Sequence, residues 1–266
     1  MKWGLMGIAL AFLAVFLMTP LVVLLYNAFH EGWRVYQMAV LDPETIAAVK
    51  LTLFAVICAV PLNMIFGLAA AWAITKFDFP FKNFLITLID LPFTVSPVIA
   101  GMIFVLLFGA RSSLGAWMIA HGWKIIYDVP GIVLATIFVT FPFVARELIP
   151  LMHAQGTEQE EAALTLGANG WQIFTRITLP NIRWGLLYGV ILCTARCLGE
   201  FGAVSVVSGH IRGMTNTVSL QVEILYNEYQ FSGAFAVASL LVFGACLTLL
   251  LKLYVEKKMH YGKGSI

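Results

Sequence analysis

Glu161-Ala162-Ala163-Leu164-Thr165-Leu166-Gly167, followed after nine residues by Ile177-Thr178-Leu179-Pro180, is a polar stretch set between long apolar runs. Thr157 stands where it can cap a helix, with Glu160 three residues on as the reciprocal half of a capping box. Glu158, Glu160 and Glu161 fill the first turn, where the helix dipole favours negative charge. Ala162, Ala163, Leu166 and Ala168 offer a small apolar surface. Gly167, without a side chain, lets the chain turn and another backbone approach. A second short helix over 170–176 presents Trp171, Ile173 and Phe174, and Leu179-Pro180 ends it. A mere connector has no local reason for this much order, whereas a docked protein supplies one. The competing reading is an amphipathic hairpin lying on lipid headgroups. Such a helix would be expected to carry Lys or Arg, and this one opens with three glutamates.

Working outward, the rest of the chain is built for a bilayer. It has 266 residues, 61% hydrophobic and only 11% charged, against about a quarter charged in soluble domains. Six segments are long and apolar enough to cross, at 3–28, 50–75, 84–109, 131–152, 184–208 and 233–254. The first follows Lys2 as a signal peptide would. Its run is longer than a signal sequence needs and no small-x-small cleavage site follows, so it reads as an uncleaved span. Pro61, Pro92, Pro97, Pro142 and the Gly199/Gly202 pair lie inside these segments. Such breaks persist in lipid where neighbouring helices or a water-filled path satisfy the freed backbone groups, which favours a transporter over an anchor. The expected organisation is one all-α, polytopic membrane domain over 1–266. Residues 1–30 form a peripheral first helix, 50–255 the core spans and 157–180 the cytoplasmic loop.

Lysine and arginine placement sets the expected orientation. With the N-terminus cytoplasmic, the inner set is Lys2, Lys76, Lys82, Arg146, Arg176, Arg183, Lys252, Lys257, Lys258 and Lys263. The outer set is Arg34, Lys50, Arg111, Lys124 and Arg212. The inner set is twice as large, so both termini and the polar loop are expected inside. Trp33, Tyr36, Trp117, Trp123, Tyr127, Tyr226 and Tyr229 then form an outer aromatic belt.

The four cysteines, Cys58, Cys193, Cys197 and Cys246, fall in apolar segments without a CxxC pair and read as small buried hydrophobes. The histidines are scattered singly, with no metal-ligand spacing. Gly262-Lys263-Gly264-Ser265 lacks the upstream glycine and strand of a phosphate loop, so the chain is not expected to hydrolyse ATP.

Glu-Ala-Ala, three residues, Gly, nine residues, Ile-x-Leu-Pro is the signature of permease subunits of bacterial ABC importers, and this chain resembles them at every signature position. In that family the loop forms coupling helices in a cleft of the ATPase, which implies that role for Glu161, Ala162, Ala163, Leu166, Gly167, Leu179 and Pro180. The stretches 90–98, 140–148 and 199–213 resemble the sulfate/molybdate branch, and the last is most similar to sulfate/thiosulfate permeases of the CysW type. The resemblance implies a type I importer permease (MetI-like) fold whose first helix wraps a second permease of the CysT/CysU type. It also implies two ATPase subunits of the CysA type, which carry ATP and magnesium, and a periplasmic sulfate- or thiosulfate-binding protein. This chain would bind no cofactor or nucleic acid. Molybdate or tungstate is the other cargo the branch allows.

Arg196 and Glu200 lie in the fifth segment at i,i+4 spacing on one helix face. Either Arg196 gives a passing dianion a transient positive site, or the two form a structural ion pair. Thr94 and Ser96 beside two prolines, and Ser205 and Ser208 in the fifth segment, can offer hydroxyls to a path or serve helix packing. Arg212, just outside, can receive an anion, contact a binding protein or stand as an ordinary loop charge. Asn63 is expected to hydrogen-bond across helices. A channel or secondary transporter acting alone would not need the loop signature. A membrane enzyme would need convergent His, Asp or Cys groups, and none is evident.

Overall fold

Prolines and glycines cut the apolar runs into more helices than there are spans. In the computed structural model, which describes residues 2–263, the regular structure is entirely helical. The helices are α1 (Lys2–Phe29), α2 (Trp33–Val40), α3 (Pro43–Lys76), α4 (Lys82–Thr94), α5 (Pro97–Phe108), α6 (Ser113–Ala120) and α7 (Val129–Thr140). There follow α8 (Pro142–Gln155), α9 (Glu158–Thr165), α10 (Gly170–Ile173), a π turn (Phe174–Thr178), α11 (Leu179–Leu198), α12 (Gly202–Val207), α13 (Val218–Asn227) and α14 (Phe231–Lys263). Gly264, Ser265 and the side chains of Lys2 and Lys263 lie outside the described residues.

Four stretches are single apolar spans by length and composition: Gly4–Phe29, Pro43–Lys76, Val129–Gln155 and Phe231–Lys258. The segment at 84–109 is not one straight helix. Its halves, Lys82–Thr94 and Pro97–Phe108, meet at 107°. The cause is local: Pro97 disfavours helical geometry in the residue before it, and both Val95 (ψ 130°) and Ser96 (ψ 134°) are extended. The segment at 184–208 also divides, because Gly199-Glu200-Phe201 separates α11 from the short α12. With Asn181, Arg183 and Arg196, α11 falls short of the apolarity of the other four spans.

The centre is α3, α7, α8 and α11 packed together, with α14 against α11 and α13, and α5 against α12 and α7. One apolar cluster joins Leu51, Ala55, Ile132, Ala135, Val139, Val204 and Leu220. A second, nearer the polar loop, joins Ala71, Val144, Leu148, Met152 and Ile182. Lipid gives no hydrophobic drive between helices, so close approach must come from small residues. At Gly67 a Cβ would sit 2.9 Å from Val144 Cβ, so only glycine lets α3 meet α8 there. Asn63, fully buried, donates to Thr140 Oγ1 at 2.7 Å and to the Ile137 carbonyl at 3.3 Å, joining α3 to the end of α7. In contrast, α1 packs on α14 and α2 and leaves its apolar side chains exposed.

Some expectations are corrected. Tyr36 does not join an outer belt; it is buried, with its hydroxyl 3.1 Å from Ser239 Oγ, because α2 folds against α14. Cys246 is exposed on the apolar face of α14, whereas Cys193 and Cys197 are buried. Arg146 is no loop charge. It sits in the first half of α8, with Nε 2.8 Å from Asp90 Oδ1 of α4.

Candidate coupling loop and translocation face

The loop between α8 and α11 is held as a rigid knob. Glu160 Oε2 lies 2.9 Å from the Lys76 ammonium, at the last residue of α3. Its other oxygen accepts from Thr178 Oγ1 at 2.6 Å. Lys76 also donates to the Gly156 carbonyl at 2.6 Å. The Asn181 amide donates to Gln159 Oε1 at 2.6 Å, and Gln155 Nε2 donates to the Asn181 carbonyl. Trp72 of α3 meets Phe174 with ring centroids 5.0 Å apart. Both ends of the loop are therefore fastened to the spans it links.

Its turn is set by Gly167. The α9 helix ends in a double hydrogen bond, Gly167 N–H to the Leu164 carbonyl and Ala168 N–H to the Ala163 carbonyl, with Gly167 at φ 84°. That left-handed position disfavours any residue with a Cβ. Beyond the turn, Asn169 and Gln172 form a reciprocal capping box for α10, each bond 2.9 Å. Leu164, Leu166 and Trp171 point outward, Leu166 at 88% exposure, with Glu161, Ala162 and Gly167 exposed beside them.

Three expectations change here. Thr157 does not cap α9: its backbone is already near-helical (ψ −5°), the Glu160 N–H goes to its carbonyl at 3.0 Å, and its hydroxyl donates to Glu161 Oε1 at 2.6 Å, while the Glu160 side chain is committed to Lys76 and Thr178. Ala163 and Ile173 turn inward and are buried. Leu179-Pro180 does not end the second helix but opens α11, Leu179 half-buried and Pro180 exposed. Pro180 has no N–H for an i→i−4 bond, and its ring crowds the carbonyl one turn back. The turn before it widens instead, and Leu179 N–H reaches the Phe174 carbonyl, five residues away. Lys76, Thr178 and Asn169 escape the sequence reading. Asn169-x-x-Gln172 carries a visible cap signal, whereas Lys76 is far away in the chain.

The candidate path residues separate into groups. Thr94 and Ser96 are exposed at the α4–α5 bend, Thr94 donating to the Leu91 carbonyl at 2.9 Å. The second break lies against this one, since a Cβ on Gly202 would be 3.0 Å from Pro97 Cβ. Ser205, half-buried, donates to the Gly202 carbonyl. Ser208 is fully buried and accepts from His210 N–H at 3.2 Å, holding a turn. Arg196 Nη1 lies 2.6 Å from Glu200 Oε2, and Glu200 Oε1 accepts from Ala203 N–H at 3.0 Å. Glu200 thus pins α11 to the start of α12 while 2% exposed. Arg212 is paired with Glu44 and Glu228, tying the loop between α12 and α13 to the start of α3 and the end of α13. Among the described residues, no group of three or more His, Cys, Asp or Glu side chains is placed to hold a metal ion.

Residues 63–260 match the family described as binding-protein-dependent transport system inner membrane component. The sulfate transport system permease protein CysW of Escherichia coli strain K12 is 47% identical over 97% of this chain and 89% of its own length. CysT of the same strain, also named a sulfate transport system permease protein, is 36% identical over 92% of this chain and 88% of its own. A chain of a bacterial alginate ABC transporter, solved with an alginate pentasaccharide-bound periplasmic protein, has a TM-score of 0.78 at 18% identity. It covers 96% of this chain and 92% of that one, and the likeness is one of fold. Spans broken at prolines, a fastened Glu-Ala-Ala loop and these relatives converge: the chain belongs to the binding-protein-dependent transport system inner membrane component family, as a multi-pass ABC permease of the CysW type.

Proposed function

We propose that this chain is one of two permeases in an ATP-driven importer of sulfate and thiosulfate. The observation that carries the coupling reading is the knob at 157–180, fastened to α3 and α11 and exposing Leu164, Leu166 and Trp171. The cargo follows from relatives named sulfate transport permeases at this identity and coverage. In this reading the other half of the path is a CysT-type permease. Two CysA-type ATPases hold ATP and magnesium below, and a periplasmic oxyanion-binding protein delivers cargo above. Both termini and the knob face the cytoplasm.

The mechanism follows from the fastening. A closing ATPase dimer moves the knob, and the Lys76–Glu160 pair and the Thr178 and Asn181 bonds transmit that motion to α3 and α11. The spans tilt and the path opens toward the loaded binding protein; hydrolysis reverses the motion. Ser96 at the bend offers a hydroxyl to a desolvating oxyanion without a fixed charge that would retain it, and Thr94 and Ser205 would join it by turning their hydroxyls away from the Leu91 and Gly202 carbonyls. The test is uptake of radiolabelled sulfate by proteoliposomes holding both permeases, the ATPase and the binding protein. Uptake that requires ATP and this chain supports the reading. Uptake by this chain alone, or cargo other than sulfate and thiosulfate, overturns it.

A further inference from the structure

Arg146 and Asp90 form an ion pair within two apolar segments, where charge is costly. Arg146 Nε is 2.8 Å from Asp90 Oδ1 and Nη2 is 3.3 Å from Oδ2, and the guanidinium also lies over Phe93, 4.9 Å from the ring centre. Asp90 follows the α4 start at Lys82, and Arg146 precedes the α8 end at Gln155, each by two to three turns. At 1.5 Å per residue both lie about 12–14 Å from the loop-side ends of their helices. Arg146 lies inside the apolar span Val129–Gln155 and Asp90 inside the first half of the bent apolar pair, so both charges stand within segments built for the hydrocarbon core. Even so, the Arg146 side chain is 55% exposed and that of Asp90 33%. Acyl chains cannot solvate such a pair, and charges within such segments face a bundle interior or a water-filled cavity.

The surroundings show which way it faces. Thr94, one turn beyond Asp90 on α4, is exposed, as is Ser96 at the bend, and Pro97 lies against Gly202 at the start of α12. The pair thus extends this polar row toward the loop side. Guanidinium carries five N–H donors, of which Asp90 engages those on Nε and Nη2. Among the described residues the remaining donors have no hydrogen-bond partner, which leaves them for oxyanion oxygens.

Building on the oxyanion-importer reading, we propose that Arg146 lines the translocation path and contacts the passing oxyanion in its loop-side half, with Asp90 as its positioning partner. The pairing makes the contact passable: an uncompensated arginine would retain a dianion, whereas Asp90 brings the local charge to zero.

The test uses the full complex in liposomes. R146Q lowers ATP-dependent sulfate uptake by about tenfold or more, the loss expected for a charge-assisted hydrogen bond. The double variant D90N/R146Q stays equally low. Recovery of wild-type uptake in the double variant would show a purely structural pair and overturn the proposal. A second measurement does not depend on cargo. T94C is labelled with an anionic and with a cationic hydrophilic thiol reagent, above the background of the native cysteines. Labelling by both, with R146Q slowing only the anionic reagent by about tenfold, supports an aqueous path past Arg146. Failure to label T94C, or equal slowing of both reagents, overturns it. Absence of sulfate uptake by the wild-type complex overturns the cargo assignment alone, and the labelling arm still decides the role of Arg146.

Discussion

The Lys76 ammonium lies 2.9 Å from the Glu160 carboxylate, joining the end of the longest core span to the first turn of α9. Both side chains are largely covered, at 8% and 15% exposure. Breaking such a pair by removing one partner costs about 3–5 kcal/mol, because the other charge is left buried. The two partners are not equivalent. Lys76→Met strands Glu160, whose only remaining bond is to Thr178. Glu160→Gln leaves Lys76 bonded to the Gly156 carbonyl and still accepts from Thr178. Lys76→Met is therefore expected to lower the thermal midpoint of the purified complex and its ATP-dependent uptake more than Glu160→Gln does. Equal effects, or none, would remove the pair from the coupling route.

Gly167 separates a folding role from a docking role. Its φ of 84° costs a residue with a Cβ about 1–2 kcal/mol, but a Cβ there has nothing within 4 Å. Within this chain, alanine and tryptophan should be similarly tolerated, and both variants should insert. Against an ATPase cleft they differ greatly in bulk. Gly167→Trp is expected to abolish uptake, while Gly167→Ala retains part of it. Equal uptake by the two variants would mean that nothing packs closely over the turn.

What the sequence reveals here divides along the lines of range. Caps, turns and breaks are local, so Gly167 as a turn and Pro92–Pro97 as a break are legible from neighbours in the chain. The 107° angle at that break is not, since Pro97 forbids the helix without choosing the new direction. Thr157 and Glu160 make a plausible capping box until Lys76, far off in sequence, takes the glutamate. Ala163 and Ile173 resemble docking surface by type, yet the loop needs an inner face and spends them on it. Arg146 is visible in the sequence as a charge inside the segment 131–152, but its partner Asp90 stands on another helix and is seen only in the fold.

Asn63 carries a stability role that can be measured apart from transport. It is fully buried and donates to Thr140 Oγ1 at 2.7 Å and to the Ile137 carbonyl at 3.3 Å, close to where Pro142 interrupts the α7–α8 ladder. Hydrogen bonds between membrane helices average about 0.6 kcal/mol and reach about 1.7. Asn63→Leu should thus cost about 1–3 kcal/mol, read as a lower thermal midpoint, with uptake at low temperature close to normal. An unchanged midpoint would show that the two bonds contribute nothing net.

The Arg196–Glu200 pair can be resolved by the asymmetry of its burial. Glu200 is 2% exposed and holds the Ala203 N–H at 3.0 Å, whereas the Arg196 side chain is 32% exposed. Arg196→Met leaves a buried carboxylate without its cation, a loss of about 3–5 kcal/mol. Glu200→Gln keeps an acceptor for Ala203 and leaves an arginine that is only partly covered, so it should be the milder change. The double variant R196M/E200Q removes the stranded charge and keeps the cap, and it is expected to recover most of the stability lost in R196M. Uptake then separates the two roles, because a structural pin predicts that it returns together with stability. A double variant that is stable yet inactive would instead assign Arg196 a contact with the anion.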